Sequence, residues 1–296
     1  MFDYKGIIAL KTILESQNFE VAANKLYISQ SAISQRIKSL EIHLGKPLLI
    51  RKHPYKATRL GQNLLNHLAK VEWLENDLLQ NKLIDENKFI ELSISINNDS
   101  LETYFFDILD SLENDGNIRY KIKKSDQDMT VLDLQNGEVL TCISTSNKNI
   151  KGCKTEYLGE ITYLLVCSPL FYKKYFNENV SPDTLRKSPY LVFNQYDNLS
   201  SKFIEKNYNF SPDLNNCHII PSVKGFKQLC LSGKGYALIP KIDIIKELNQ
   251  GQLKVINNIS WKMPLYWHCW ELSNNTYKNI NSTIIAKIRQ KLLNKV

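Results

Sequence analysis

Residues 19–45 contain two helix patterns joined by a tight turn, and this close spacing restricts the fold of the N-terminal part of the chain. Asn18 and Ser29 are candidate N-caps of the two helices, and Gly45 is a C-terminal breaker. The second helix has apolar residues at spacings of 4, 3 and 4, which form one buried face: Ile33, Ile37, Leu40 and Leu44. A further helix pattern at 4–15 precedes them, so the segment predicts a helix-turn-helix unit.

The opposite face of the second helix carries short or amide side chains and one cation: Gln30, Ser31, Ser34, Gln35 and Lys38. Glutamine forms paired hydrogen bonds with an adenine edge, and serine bonds to a base or a phosphate. Small residues also let a helix enter the major groove deeply. We therefore predict that this face contacts DNA, although on this helix alone a solvated face that tolerates Ser and Gln explains the pattern equally well.

A basic wing is predicted directly after this helix, because residues 48–50 form a short apolar strand pattern and residues 55–58 return beside it. Three cations of the wing are predicted to meet the DNA backbone or the minor groove: Arg51, Lys52 and Lys56. Of the formal net charge of +8, residues 1–60 carry +6. This charge suits a phosphate-rich partner, although a solvated basic face without a partner would show it too.

A long helix is predicted at 60–84, where proline is absent and glycine occurs only at position 61. Its apolar residues recur at spacings of 3 and 4, beginning at Leu60. A pair of such helices that bury each other's apolar stripe explains this length. We therefore predict dimerisation through five residues: Leu64, Leu68, Val71, Leu74 and Leu78. Packing of the stripe on the chain's own domain is the alternative, and the polar residues 85–88 are a candidate hinge.

The remainder, residues 89–296, alternates strand-like and helix-like segments, which predicts parallel α/β sheets. The predicted strands are 89–96, 119–123, 139–144, 163–167, 190–193, 218–220, 236–239 and 263–269, and the last helix is 276–291. Motifs for nucleotide binding, for a serine nucleophile or for zinc hydrolysis do not occur in the sequence. We therefore predict no enzyme, no cofactor and no metal.

The six cysteines are scattered and form no CxxC pair, which predicts free thiols in a reducing compartment. A disulfide or a redox sensor is the alternative. The N-terminal apolar segment is too short for a signal sequence, and no later apolar run reaches the roughly 18 residues that a membrane span needs. The sequence therefore predicts a cytoplasmic protein that does not associate with a membrane.

The segment AANKLYISQSAISQRIKSLEIHLGKPLLIR resembles the DNA-binding segment of LysR-type transcriptional regulators. The matching positions are Ala22, Ala23, Ser29, Gln30, Ala32, Ser34, Ile37, Leu40, Glu41, Leu44, Gly45, Leu48 and Arg51. Gly233 and Gly235, followed by an apolar run to Pro240, resemble a segment of the family's effector domain. The resemblance implies an all-α winged helix-turn-helix with a long linker helix, followed by an α/β, two-lobed, periplasmic-binding-protein-like effector domain.

The domains that this resemblance implies divide the chain into three parts. The DNA-binding domain is 1–59, with its motif at 19–38, and the linker helix and hinge are 60–88. The effector-binding domain is 89–296, in which lobe I comprises 89–161 and 266–296, and lobe II comprises 162–265.

Two further stretches, ELSISINNDSLETYF and MPLYWHCWELS, resemble a branch of the family that responds to lysine or arginine and regulates basic amino-acid export. The resemblance implies a sequence-specific regulator that binds double-stranded DNA as a homodimer or homotetramer and acts with RNA polymerase. Two alternatives remain open. One is an architectural or replication-initiation-controlling DNA binder without a metabolite response, and the other is a LysR-type regulator with a different effector.

Ligands in folds of this kind bind in the cleft, at the carboxyl ends of strands and at helix N-termini. A bound amino acid needs hydrogen-bond donors for its carboxylate and acceptors for its ammonium group, and a basic side chain needs a further acceptor. The predicted effector contacts are Asn98, Asp99, Ser100, Asp126, Asp128, Ser144, Thr145, Asn194, Asp197 and Ser222. Each of them is also explained as an ordinary cap or turn residue.

Overall fold

The computed structural model describes residues 3–80, 90–112, 118–177, 179–195 and 198–293. The hinge predicted at 85–88 and the predicted effector contact Asp197 lie outside the described residues.

The N-terminal part consists of helices and a two-stranded antiparallel wing: α1 Tyr4–Ser16, α2 Phe19–Lys25, α3 Gln30–Leu44, β1 Leu49–Ile50, β2 Lys56–Ala57 and α4 Arg59–Gln80. Asn18 caps α2 by accepting a hydrogen bond from the N–H of Glu20, and Ser29 caps α3 by accepting one from Ala32. Gly45 follows α3 with a φ of +67°, a left-handed conformation that glycine adopts without strain. The predicted helix-turn-helix elements and their caps are therefore confirmed.

The core of the winged helix includes part of the apolar stripe that was predicted to form a dimer. Leu64 and Leu68 of α4 are buried in one cluster with apolar residues of α1, α2 and α3. The prediction that these two leucines lie in a dimer interface is wrong, because the chain's own domain already covers them. Leu74 and Leu78, in contrast, are 50% and 62% exposed, and Val71 is half-buried.

The second part of the chain contains the remaining elements in a strand and helix alternation. They are β3 Ile90–Ile96, α5 Asn98–Ser100, a π-helical turn Leu101–Phe105, α6 Phe106–Asp110, β4 Ile118–Lys124, α7 Thr130–Asn136, β5 Thr141–Ser144, β6 Cys153–Cys167, α8 Pro169–Tyr175, α9 Pro182–Lys187, β7 Tyr190–Val192, α10 Asn198–Tyr208, a 3-10 turn Leu214–Asn216, β8 Cys217–Ile219, α11 Val223–Leu231, β9 Ala237–Pro240, α12 Lys241–Asn249, β10 Lys254–Trp270 and α13 Asn275–Leu293.

A mixed sheet with the strand order β4-β3-β5-β10-β6-β9 forms the centre of this part, and β7 pairs with β8 beside it. Parallel pairing joins β3 to β4 and β5, whereas β10 is antiparallel to β5 and β6, and β6 is antiparallel to β9. The prediction of parallel sheets is therefore wrong for three of the five strand pairings in the main sheet. The reason is that β6 and β10 each run through both lobes and pair with one another in opposite directions.

The predicted strands are only parts of the observed ones, because 163–167 is the last third of β6 and 263–269 lies in the second half of β10. The predicted lobe boundaries at 161/162 and 265/266 fall inside these two strands. All six cysteines are free thiols, as predicted. Among the described residues, no helix is both long and apolar enough to cross a membrane.

The burial of Leu68 gives a test of the winged-helix core. We expect Leu68→Ala to lower the free energy of unfolding by about 2–5 kcal/mol, because it leaves a cavity in a packed core. Denaturant unfolding monitored by circular dichroism measures this loss, which should not depend on protein concentration. Ile42→Ala is the control in the same domain, since Ile42 on α3 is 71% exposed and truncation of an exposed side chain changes stability by less than about 0.5 kcal/mol. A Leu68→Ala protein of normal stability would contradict the core position.

Candidate DNA-binding surface and effector cleft

The face of α3 that was predicted to contact DNA is accessible in the structure. Gln30, Ser31, Gln35 and Lys38 are exposed, and Ser34 is half-buried. The opposite face is anchored, because Ile33 and Ile37 are fully buried against α1 and α2. The helix therefore presents short polar side chains on a rigid support, the arrangement that a helix in a major groove requires.

The side-chain amide of Gln17, directly after α1, holds the wing through two hydrogen bonds to the backbone of one wing residue. The amide of Gln17 donates from Nε2 to the carbonyl of Tyr55 at 3.0 Å, and its Oε1 accepts from the N–H of Tyr55 at 2.7 Å. Sequence reasoning missed this contact, because nothing in the pattern around Gln17 marks it as different from a surface residue. Lys52 and Lys56 are exposed on the wing, as a role in DNA binding requires.

Arg51 has a partner within the protein. Its guanidinium lies 3.3 Å from the carboxylate of Glu41 on α3, and the same carboxylate accepts hydrogen bonds from the N–H groups of Leu48 and Leu49. Glu41 thereby ties the start of the wing to α3. The sequence prediction gave Arg51 only a role toward DNA, whereas the structure also gives it a structural contact.

A cleft of about 770 Å³ opens in the effector domain. Residues that directly follow β3, β4, β5 and β7 line it, so the cleft lies at the carboxyl ends of these strands. Part of β10, from Trp261 to Pro264, forms another wall. This position agrees with the general location of ligands in open α/β sheets.

Six of the predicted effector contacts line this cleft: Asn98, Asp99, Asp126, Asp128, Thr145 and Asn194. Three others do not line it: Ser100, Ser144 and Ser222. Ser100 is fully buried, and Ser144 Oγ accepts a hydrogen bond from the N–H of Ser146 in a turn. Ser222 Oγ accepts one from Gly225 as the N-cap of α11. The hydroxyl groups of Ser144 and Ser222 therefore serve local backbone contacts.

The charge of the cleft is mixed. Three carboxylates, those of Asp99, Asp126 and Asp128, line the same space as three lysines: Lys124, Lys202 and Lys262. Asp99 is fixed in position, because the hydroxyl of Tyr163 on β6 donates to its Oδ2 at 2.6 Å. Burial, followed by the nearby Asp99 carboxylate, raises the pKa of Tyr163 well above its usual value, so this hydroxyl keeps its proton.

Asn98 is the polar residue of the cleft that most clearly needs a further contact. Its side chain is buried, and neither its oxygen nor its nitrogen has a hydrogen-bond partner among the described residues. A buried polar group without a partner costs about 1–3 kcal/mol. A ligand with a donor or an acceptor in this part of the cleft would remove that cost.

Sequence reasoning missed the apolar wall and several polar residues of the cleft. Phe193, Trp261 and Met263 line one side, and Lys124 Nζ lies 5.4 Å from the centroid of the Phe193 ring. Ser125 also lines the cleft, and its hydroxyl donates to the buried carboxylate of Asp133 at 2.5 Å. The position of Ser125, two residues after the end of a predicted strand, was the one available signal for it.

An exposed helix-turn-helix face and a ligand-sized cleft in a separate α/β domain define a DNA-binding regulator with an effector domain. Two family comparisons agree with this description. Residues 5–62 match the bacterial regulatory helix-turn-helix proteins of the lysR family, and residues 91–270 match the LysR substrate binding domain. The chain therefore belongs to the LysR family of bacterial transcriptional regulators, and it is not an enzyme.

Within this family the chain is similar over nearly its whole length to proteins named HTH-type transcriptional regulator ArgP. It is 37% identical over 285 residues to the protein of Vibrio parahaemolyticus, with 96% of each chain covered. The crystal structure of ArgP from Mycobacterium tuberculosis matches with a TM-score of 0.85 and 28% identity, over 97% of this chain and 98% of that one. Full-length LysG from Corynebacterium glutamicum with the bound effector Arg matches with a TM-score of 0.75 and 26% identity, over 95% and 97%.

The DNA-binding surface gives a second prediction. We expect Gln35→Ala to weaken binding to a duplex from the promoter region beside the gene by about 1–3 kcal/mol, because a base contact is lost. Binding to an unrelated duplex of equal length should not change. Fluorescence anisotropy measures both affinities.

Lys56→Ala is the matched variant on the wing. It should weaken binding to both duplexes by a similar factor, because a phosphate contact carries no sequence information. Equal weakening of both duplexes by Gln35→Ala would show that this face of α3 does not read bases.

Proposed function

We propose that this regulator responds to arginine or lysine and that the amino acid binds in the cleft of the effector domain. The observation that carries the proposal is the mixed charge of the cleft, with three carboxylates and three ammonium groups along one space. An amino-acid zwitterion needs cationic donors for its carboxylate and anionic acceptors for its ammonium group. A purely acidic or purely basic cleft would satisfy only one end of such a ligand.

The distribution of groups in the cleft supports a long basic side chain. Arginine and lysine pack their methylene stems on apolar surface, for which Phe193, Trp261 and Met263 are suited. The exposed Asp126 and Asp128 are the proposed acceptors for the distal cation. The fixed carboxylate of Asp99 is the proposed partner of the α-ammonium group.

The polar end of the ligand has further proposed partners. The buried amide of Asn98, together with Thr145 and Asn194, is proposed to bind the α-carboxylate. The arginine bound in the similar LysG structure supports a ligand of this class.

The assembly and the target of the regulator are proposed with the same reasoning. The exposed Leu74 and Leu78, with Val71, support a homodimer formed through the second half of α4, or a homotetramer built from such dimers. We propose that this assembly acts in the cytoplasm, binds double-stranded DNA through the α3 face and the wing, and contacts RNA polymerase. The proposed target is a gene for the export of basic amino acids.

The effector proposal is tested by isothermal titration calorimetry of the full chain with L-arginine and L-lysine. L-Citrulline is the matched ligand control, because it has the shape of arginine without the side-chain charge. We expect binding of arginine or lysine and at least about tenfold weaker binding of citrulline, because a charge-assisted contact is lost. The double variant Asp126→Asn and Asp128→Asn should reduce that difference.

Asp110→Asn is the control variant, since Asp110 is exposed on α6 and does not line the cleft. It should bind both basic amino acids like the unsubstituted protein. A chain that binds the promoter duplex but gives no binding with either amino acid would contradict the effector proposal. It would then be a regulator with a different effector or with none.

A further inference from the structure

The linker helix α4 touches the effector domain along one side. The residues on this side recur at spacings of 4, 3 and 4: Asn66, Lys70, Trp73 and Asp77. Lys70 Nζ lies 5.5 Å from the centroid of the Trp270 ring, and Trp73 packs against the core of the effector domain. This side differs from the one that carries Leu64 and Leu68 into the winged-helix core.

Asp77 fixes the far end of this contact. Its carboxylate accepts hydrogen bonds from the N–H and the hydroxyl of Ser273 and from the N–H of Asn274, directly before α13. Burial raises the pKa of Asp77, but these hydrogen bonds outweigh burial, and the pKa lies below its usual value. The carboxylate therefore stays charged and holds α4 to lobe I at neutral pH.

At the other end of the contact between α4 and the effector domain, α4 packs against α7, the short helix that begins at the cleft. Residues 126–129, directly before α7, line the cleft. Gly137, directly after α7, has a φ of +77° and packs so closely on α4 that an added Cβ would lie 2.9 Å from the carbonyl oxygen of Asn66. One helix of seven residues, about 10 Å long, thus joins the cleft to the linker helix.

Buried Asp133 makes α7 move together with the strands at the cleft. Its carboxylate accepts hydrogen bonds from Ser95 on β3 at 2.6 Å, from Lys123 on β4 at 2.6 Å, and from Ser125 in the cleft wall at 2.5 Å. Burial raises the pKa of Asp133, but the hydrogen bonds from Lys123, Ser125 and Ser95 outweigh it and leave the pKa lowered. A shift of Ser125 or of the strand ends is therefore carried by α7 toward α4.

We propose that α7 is the element through which a ligand in the cleft changes the position of α4, with the contact of Gly137 on Asn66 as the point of transmission. The proposal rests on the proposed function, because it assigns the route by which that cleft controls DNA binding. In this proposal α7 has two arrangements, one with Gly137 in contact with α4 and one with Gly137 displaced from it. The ligand in the cleft and the DNA each shift the equilibrium between these two arrangements.

The test uses two glycines that follow helices in the same left-handed conformation. Gly137→Ala places a Cβ against the backbone of α4. Gly251→Ala, after α12, creates the same backbone strain at a φ of +68°, but its Cβ would meet nothing within 4 Å. The pair separates the contact with α4 from the strain of the substitution.

The first readout is the affinity of the full chain for the promoter duplex, with and without saturating L-arginine. In the unsubstituted protein and in Gly251→Ala, arginine should change this affinity by the same factor, on the order of 5- to 150-fold. In Gly137→Ala the change should fall to about twofold or less, while calorimetry still detects arginine binding. A Gly137→Ala protein with the full response to arginine would overturn the proposal.

The second readout does not require that arginine binds. Asp133→Asn weakens the attachment of α7 at the cleft without touching α4, and hydrogen exchange of the ligand-free chain measures the result. We expect the protected amides of α4 between 66 and 77 to exchange several-fold faster than in Asp110→Asn. Unchanged exchange there would refute the role of α7. Absence of arginine binding in the unsubstituted protein would instead count against the proposed effector.

Discussion

The two long strands of the effector domain, β6 and β10, run antiparallel from the pair of Lys254 and Cys167 to the pair of Trp270 and Cys153. Each strand contributes to both lobes, so this pairing connects the lobes and sets the distance between them. Tyr163, which fixes the cleft carboxylate of Asp99, lies on β6, and the wall from Trp261 to Pro264 lies on β10. The geometry of the cleft therefore depends on the register of this single strand pair.

The linker helix packs against a different domain on each of two sides. The apolar stripe enters the winged-helix core at Leu64 and Leu68 and is exposed further along at Leu74 and Leu78. The other side contacts the effector domain. A helix with these two contacts cannot move relative to one domain without disturbing the other, because packed interfaces have few alternative arrangements. Such a helix suits a regulator in which DNA binding, assembly and ligand binding depend on one another.

Local signals allowed the helix-turn-helix to be predicted from the sequence, because caps and apolar spacing act over a few residues. The caps Asn18 and Ser29 and the breaker Gly45 illustrate this. The leucine stripe shows what local spacing cannot predict. The spacing indicates that Leu64 and Leu68 are buried, but it does not indicate whether the same chain or a second chain buries them. The earlier parts of β6 and β10, residues 153–162 and 254–262, were missed because long-range pairing, rather than an apolar run, makes them strands.

The cleft residues also divide into those that local sequence signals predict and those that only the folded structure brings to the cleft. Asp99 and Asn194 were found because they follow strands, and the carboxyl ends of strands meet at the cleft. Ser144 and Ser222 also lie beside strand ends or helix starts, but their hydroxyl groups are used by a turn and a cap, which serine favours for local reasons. Trp261 and Met263 could not be predicted, because their place in the cleft depends on the path of β10 across both lobes.

The ion pair between Arg51 and Glu41 has a consequence for the energetics of the DNA complex. A cation that is already neutralised inside the protein displaces fewer bound counterions from DNA than a free one, because part of its charge is compensated before contact. A phosphate that engages Arg51 must share it with the carboxylate that also holds the start of the wing. The number of lysines and arginines in the DNA-binding domain thus overstates the number of ions released on binding.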